Sequence, residues 1–263
     1  MRINPLLFQY YKPNPNFGSN SREVHDKEGG LMYRNTTVFF RPDLNWNKFG
    51  DYIAEKYKDA DKVNVVCYAC SDGSEPLSIL MLLKERLKDD YKKFTPIIAK
   101  DIDQSMINSA RGEFINMDYY DFKAINELTG NKYDDYFVAP KLGFAIGSVE
   151  VRKRQPLLKD INFSVADITE DIENIPSKNT ILFCRNFWPY LESAQERVRV
   201  MENISSRLKD NCILVIGDFD LESGVEQIIP ALGFQEVSRL GHVYESNTIA
   251  DLAERYQLKI LRS

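Results

Sequence analysis

Short blocks of contiguous apolar residues alternate along this chain with longer stretches whose apolar positions recur at helical spacing. Contiguous blocks mark strands buried on both faces of a parallel sheet, and the 3.6-residue period marks helices packed against it. The unit around which the rest is arranged runs from Val63 to Leu83. It opens with apolar, largely β-branched residues and breaks at Ser71-Asp72-Gly73-Ser74. From Glu75-Pro76 it continues as a helix with Leu77, Leu80, Met81 and Leu83 apolar. Proline is tolerated in a first helical turn, where its missing N–H has no intrahelical partner. Strand, tight turn and helix together present a ligand at the carboxyl edge of an α/β sheet. Gly73 is the only glycine in the turn, so the turn suits a nucleoside-type ligand and not a pyrophosphate.

The same rhythm predicts the remaining elements. Trp46 to Lys58 reads as a helix (Trp46, Phe49, Ile53, Tyr57). Pro96–Lys100 reads as a second strand ending in Asp101-Ile102-Asp103, followed by a helix over Gln104–Arg111. Strands follow at Ile161–Val165, Thr180–Cys184, Asn211–Gly217 and Gly241–Glu245. Helices are predicted at Ser193–Leu208, with Ala194, Val198, Met201, Ile204 and Leu208 on one face, at Val225–Leu232 and at Ile249–Ile260. Gly112 to Asp160 departs from the rhythm. Strand-like pieces at Tyr136–Ala139, Gly143–Ile146 and Ser148–Arg152 make it an inserted β unit and not a crossover helix. Residues 1–34 carry breaker clusters at Pro13-Asn14-Pro15-Asn16, Gly18-Ser19-Asn20-Ser21 and Gly29-Gly30. They read as a partly ordered arm, with Leu6, Leu7, Phe8, Tyr10 and Tyr11 available to pack on the body. The expected architecture is α/β and Rossmann-like, one domain over residues 35–263 with a small antiparallel β-subdomain inserted at about 114–160.

Composition narrows function more than fold. A chain of 263 residues, 43% hydrophobic and 28% charged, fits one domain with a small appendage. Its net charge of −5 argues against bulk binding to nucleic acid or to an anionic membrane surface. No apolar run reaches membrane-spanning length, and the first residues lack the apolar core of a secretory signal. A cytoplasmic location is expected. Cys67 and Cys70 form a C-x-x-C, but Cys67 lies inside the apolar strand and not at a helix start, where a redox thiolate is stabilised. Cys184 and Cys212 sit apart in apolar runs, and His25 and His242 are the only histidines, which does not make a zinc site. All four cysteines are expected to be reduced core residues, and no metal is expected.

Candidate chemistry falls just after the strands, at Asp72 to Glu75, Asp101, Asp167, Arg185 with Asn186, and Asp218. Strand ends in an open parallel sheet converge on one edge. Acidic and amide groups there suit a ligand carrying hydroxyls and amino groups and suit a triphosphate poorly; no G-x-x-x-x-G-K-[ST] is present. Asp101 stands where nucleoside-binding α/β folds hold ribose hydroxyls, while Asp103 is placed to cap the following helix. Arg41, between Phe40 and Pro42, is either an anion-holding arginine beside an aromatic pair or a plain surface residue. Arg152-Lys153-Arg154 is either a solvated face or a docking point for an acidic partner.

Four segments taken in order resemble the chemotaxis-receptor methyltransferase (CheR) family, whose members transfer methyl from S-adenosylmethionine to receptor glutamates. They are NTTVFFR (Asn35–Arg41), ACSDGSEPLS (Ala69–Ser78), AKDID with a following AR (Ala99–Asp103, Ala110-Arg111) and FCRNFWPY (Phe183–Tyr190). With the β unit, the resemblance spans roughly residues 35 to 245. It implies a class I methyltransferase sheet, S-adenosylmethionine as cofactor and S-adenosylhomocysteine as product. Carried over by position, Asn35, Thr37 and Arg41 would approach the methionine end of the cofactor, Glu75 its amino group and Asp101 the ribose. Asp167 with Ile168 would border the adenine, and Arg185 and Asn186 would close the pocket. Arg41 and Tyr190 would place the acceptor carboxylate beside the methyl group. The implied partner is a protein presenting a glutamate, docked through the β-subdomain.

The chain also departs from that family. Its first turn usually reads Glu-Glu-Pro-Tyr, where this chain has Ser74-Glu75-Pro76-Leu77. The strand after the long helix usually ends Gly-His-Ser-Glu, where this chain has Gly217-Asp218-Phe219-Asp220, and Asn usually stands at Asp167. Residues before Asn35 do not resemble the helical domain with which members read their receptors. Two readings therefore stand beside the protein-modifying enzyme. One is a degenerate relative that binds the cofactor or its demethylated product without turnover. The other is a small-molecule carboxyl methyltransferase on the same fold. A carboxylate is already ionised at pH 7, so the lack of a catalytic His or Cys is no objection to methyl transfer.

Overall fold

A computed structural model describes the backbone of residues 23–25 and 31–34 and, in full, residues 37–138 and 147–246. A short hairpin pairs β1 (Glu23–His25) with β2 (Leu31–Arg34). The body then alternates α1 (Trp46–Lys56), β3 (Asn64–Tyr68), α2 (Ser74–Leu87), β4 (Ile97–Asp101) and α3 (Gln104–Arg111). An insertion follows, with β5 (Phe114–Met117), α4 (Tyr119–Thr129), a single turn α5 (Tyr133–Tyr136), β6 (Phe137–Val138), β7 (Val149–Lys153) and a turn α6 (Gln155–Leu158). The alternation resumes with β8 (Ile161–Val165), a turn α7 (Ile168–Asp171), β9 (Thr180–Cys184), α8 (Ala194–Arg207) and β10 (Ile213–Val215). It closes with α9 (Val225–Ala231), β11 (Phe234–Glu236) and β12 (Val243–Ser246).

The main sheet is ordered β11-β12-β10-β9-β3-β4-β8. Strands β8, β4, β3, β9 and β10 are parallel, and β12 runs antiparallel to both its neighbours. Order reverses around β3: the chain leaves it for β4 on one side and returns to β9 on the other. That reversal opens a crevice outside the carboxyl ends of β3 and β9, where ligands of open α/β sheets bind. Alternation along β3 feeds two layers of core. Val65 and Cys67 join the layer under Phe49, Ile53, Leu77 and Leu80, while Val66 and Tyr68 join the layer with Val200, Met201, Ile204 and Ile229. All five residues of β9 are buried, which is the pattern of a central parallel strand. Among the described residues no helix is long and apolar enough to cross a membrane.

Several expectations need correction. The insertion does hold a three-stranded antiparallel sheet, ordered β5-β7-β6, but an 11-residue helix, α4, lies between β5 and β6. Its start is set by a reciprocal cap, Asp118 accepting from the Asp121 N–H and Asp121 from the Asp118 N–H, and its end by Gly130 at φ 66°. Tyr136 ends a helical turn, so the strand predicted from it begins at Phe137. On α8 the buried side chains are Val200, Met201 and Ile204, while Ala194 and Val198 face solvent. The sequence offers two overlapping stripes, and packing selects the one that continues into buried Leu208. Strand β11 is an addition to the predicted elements, and β12 starts at Val243 because Gly241, at φ 83°, still belongs to a turn. Lys153 of the basic cluster is buried, against expectation, while Arg152, paired with Glu113, and Arg154, whose Nε donates to the Asp134 carbonyl, are exposed as a solvated face would be. Most of the predicted arm, Asn35, Ala139, Gly143–Ile146 and the helix predicted at Ile249–Ile260 lie outside the described residues.

Candidate functional site

The turn after β3 is wound tightly. Ala69 and Ser71 each hold φ 54° and Gly73 φ 92°, a conformation that costs a non-glycine residue about 1–3 kcal/mol and persists only where neighbours enforce it. The neighbour here is β4. Cys70 N donates to the Lys100 carbonyl at 3.0 Å, and Ser71 N donates to Asp101 Oδ2 at 2.7 Å. The other Asp101 oxygen accepts from the Asp103 N–H at 3.0 Å. Asp101 is buried, and burial pushes its carboxyl up to about 6 against the N–H groups of Asp103 and Ser71. Asp103 caps α3 as expected, accepting from the Ser105 N–H at 2.6 Å. The Asp101 carbonyl accepts from Ala166 N at 2.9 Å and draws the end of β8 alongside. That brings in Asp167, whose Oδ1 accepts from both the N–H and the hydroxyl of Thr169 at 2.8 Å, and buried Ile168.

On the β9 side, Arg185 extends from the strand end into a closed environment, its side chain 1% exposed. Nη1 donates to Glu75 Oε1 at 2.6 Å, Nη2 pairs with Asp43, and the guanidinium lies 5.6 Å from the Trp46 ring centre. Burial works against its charge, but the carboxylates of Asp43 and Glu75 more than offset this, and its pKa stands above the ordinary arginine value. The second Glu75 oxygen accepts from the Cys67 thiol at 3.1 Å. Burial, followed by the Glu75 charge, holds that thiol well above its usual pKa, so it stays neutral. The four cysteines are free and buried.

The segment from Thr37 to Leu44 lies across the starts of α2 and α4. Phe39 N donates to Asp121 Oδ1 and Phe40 N to Ser78 Oγ, both at 2.9 Å, and Trp46 Nε1 donates to the Arg41 carbonyl at 2.8 Å. Arg41 is half-buried at the sheet edge. Its charge reaches the Tyr190 hydroxyl, whose pKa is raised by burial and by Asp220 and Glu222, with Arg41 opposing. Tyr190 closes the turn Trp188–Tyr190, its ring 5.6 Å from that of Phe219. This turn hangs on Asp220, which accepts from the N–H groups of Asn186 (2.6 Å), Gly217 (2.7 Å) and Trp188 (3.1 Å). Asn186 is held at φ 63°. Burial pushes Asp220 up to about 7 in spite of those three donors and Arg185.

Arg41, Glu75, Asp101, Asp167, Ile168, Arg185, Asn186 and Tyr190 thus gather along one edge of the sheet, and Thr37 is half-buried at the start of the segment that leads to Arg41. Asp101 and Asp167 stand on the β4–β8 side, Arg185, Asn186 and Tyr190 on the β9 side, and Glu75 between them. Sequence reasoning missed the groups that hold this set. Asp43 sits two residues beyond Arg41, Asp220 lies in the stretch that departs from the family pattern, and Asp121 and Trp46 pin the segment around Arg41. Asp43, Asp121 and Asp220 each bury a carboxylate against a partner 32 to 142 positions away, which leaves no local signal, whereas Trp46 reaches the Arg41 carbonyl across only five. The carboxylates along the edge suit a ligand that carries an amino group, a cationic sulfur and vicinal hydroxyls, as S-adenosylmethionine does.

Comparison with known proteins agrees. The sequence model of the family described as CheR methyltransferase, SAM binding domain, matches residues 35–233. A chemotaxis protein methyltransferase of Borreliella burgdorferi is 26% identical over 214 residues, covering 75% of this chain and 69% of that protein. Chemotaxis protein methyltransferase 1 of Pseudomonas aeruginosa is 25% identical over 231 residues, covering 82% and 78%. Among solved structures, DesVI of Streptomyces venezuelae aligns with a TM-score of 0.33 at 11% identity, covering 65% of this chain and 48% of its own. The SAM-bound amino pentose methyltransferase CalS10 of Micromonospora echinaspora aligns with a TM-score of 0.37 at 10% identity, covering 69% and 58%. This chain therefore spans about half to three fifths of the length of those two solved chains. With three quarters of its length matched by the family model and its carboxyl edge lined with acidic groups, the chain belongs to the CheR methyltransferase family and is an S-adenosylmethionine-dependent methyltransferase.

Proposed function

We propose that this methyltransferase esterifies a glutamate side chain on a chemotaxis-receptor-like protein in the cytoplasm. The observation that carries the reading is the Glu75–Arg185 pair at the carboxyl edge, flanked by half-buried Arg41 on the segment that crosses the start of α2 and by Tyr190 on the turn that follows β9. Bound S-adenosylmethionine supplies an already activated sulfonium methyl group. Glu75 would take its amino group, Thr37, Arg41 and Asn35 its methionine end, Asp101 its ribose, and Asp167 with Ile168 its adenine. Arg185 and Asn186 would close the pocket. Arg41 can grip the acceptor carboxylate through two parallel N–H bonds, and the Tyr190 hydroxyl can donate a further bond. Both groups act by alignment, because a glutamate is already ionised at neutral pH. Among the described residues strands β5 and β6 are the edges of the small sheet, and they carry exposed Phe114 and Val138. An extended acceptor segment adding to such an edge would dock by backbone hydrogen bonds and apolar contact.

The test uses methyl-labelled S-adenosylmethionine and the helical cytoplasmic fragment of a chemotaxis receptor. Label is expected in a base-labile ester that releases methanol, and Arg41→Ala is expected to slow transfer by about 100-fold or more while the protein stays folded. Near-normal turnover by Arg41→Ala, or label appearing only in free carboxylic acids, would sink the assignment.

A further inference from the structure

Asp43 is gripped from two directions. Its backbone packs so closely on Gly241 that a Cβ there would overlap the Asp43 carbonyl oxygen, and two residues on Asn45 N donates to the Leu240 carbonyl at 2.8 Å. Its carboxylate is 5% exposed. One oxygen pairs with Arg185 Nη2, and the other accepts from the Asp218 N–H at 2.9 Å. One side chain therefore ties together the Arg41 segment, the end of β9 and the turn after β10. Asp43, Arg185 and Glu75 form a row of two carboxylates around one guanidinium, and Glu75, at 13%, is the more exposed end. The row holds one negative charge more than positive, and the open end lies at the cofactor edge.

We propose that Asp43 is a positioning residue for the amino-acid end of the cofactor. By occupying half of the Arg185 fork it prevents that arginine from neutralising Glu75 fully, so that Glu75 retains the charge an ammonium group needs. It also anchors the segment that presents Arg41. The inference rests on the proposed function, in which Glu75 and Arg41 receive the methionine end. Without the Asp43 charge, Arg185 is free to close on Glu75 with both nitrogens, and the ammonium loses its partner. Adenosine contacts, carried by Asp101 and Asp167 on the far side of the edge, are untouched.

Two ligands separate these ends: S-adenosylhomocysteine, which carries the amino acid, and 5′-methylthioadenosine, which lacks it. Calorimetric titration of the full chain and of Asp43→Asn should show S-adenosylhomocysteine weakened about 10-fold or more, with 5′-methylthioadenosine within twofold. Equal losses on both ligands, or unchanged S-adenosylhomocysteine affinity, overturn the proposal. Gly241→Ala, which displaces Asp43 from outside the pocket, should reproduce the selective loss. If the melting curve of Asp43→Asn shows that it does not fold, Gly241→Ala decides between the same outcomes. Failure of the unaltered chain to bind either ligand is a different result. It removes the cofactor reading itself, and the proposal with it.

Discussion

Asp220 offers the sharpest stability test, because its carboxylate is wholly buried and holds three backbone N–H groups. Asp220→Ala strips all three. Asn186 is half-exposed, so water can replace the lost acceptor there, whereas Gly217 and Trp188 are buried. A buried N–H left unpaired costs about 1–3 kcal/mol, so two give a destabilisation of ~3 kcal/mol. For a chain of this size that lowers the melting temperature by about 6–12 °C. The deficit also depends on pH. The folded pKa of Asp220, about 7, lies above its ordinary 3.8. Between those values the folded state binds a proton that the unfolded state has lost, so this group's contribution to stability falls as pH rises. From pH 6 to pH 8 the fall is about 1.4 kcal/mol, the worth of one pKa unit. The gap between wild type and Asp220→Ala should therefore narrow from ~3 kcal/mol at pH 6 to ~2 kcal/mol at pH 8. Urea unfolding at both pH values measures it. A variant melting within about 2 °C of wild type, or a gap that widens with pH, would refute the reasoning.

Lys153 carries the opposite sign: burial lowers its pKa to about 8 while its Nζ donates to the Ala110 carbonyl at 2.8 Å at the end of α3. The unfolded chain keeps that proton to higher pH, so wild type should gain about 2 kcal/mol between pH 7.5 and 9.5 relative to Lys153→Met; parallel urea profiles would contradict this. His242 Nε2 lies 2.7 Å from Asp218 Oδ1, and this hydrogen bond, with burial opposing, raises the imidazole pKa above its ordinary 6.5. Stability from the pair is full below the ordinary value and is lost as pH rises through the folded one. Asp218→Asn should lower the His242 pKa in an NMR titration, and an unmoved value would mean that the two groups are not coupled.

What local sequence determined was the alternation of buried strand and amphipathic helix, the wound turn at Ser71–Ser74, the cap at Asp103 and the row of polar residues after the strands. Each depends on neighbours a few residues apart, where steric preference and periodicity act directly. Helix α4 was equally local, through the reciprocal Asp118–Asp121 cap, but the strand-like pieces downstream of it set the reading of that stretch. The face of α8 was not local. Val198 and Val200 are alike as residues, and only the sheet they approach makes one buried and the other exposed. The same holds more strongly for the site. Asp43 meets Arg185 across 142 positions and Asp121 meets Phe39 across 82. A buried carboxylate is tolerable only when donors converge on it, and convergence exists only once the strands have lined up. Sequence could nominate Arg41, Glu75, Asp101, Arg185 and Asn186 as chemistry, but tertiary structure alone chose the side chains that hold them still.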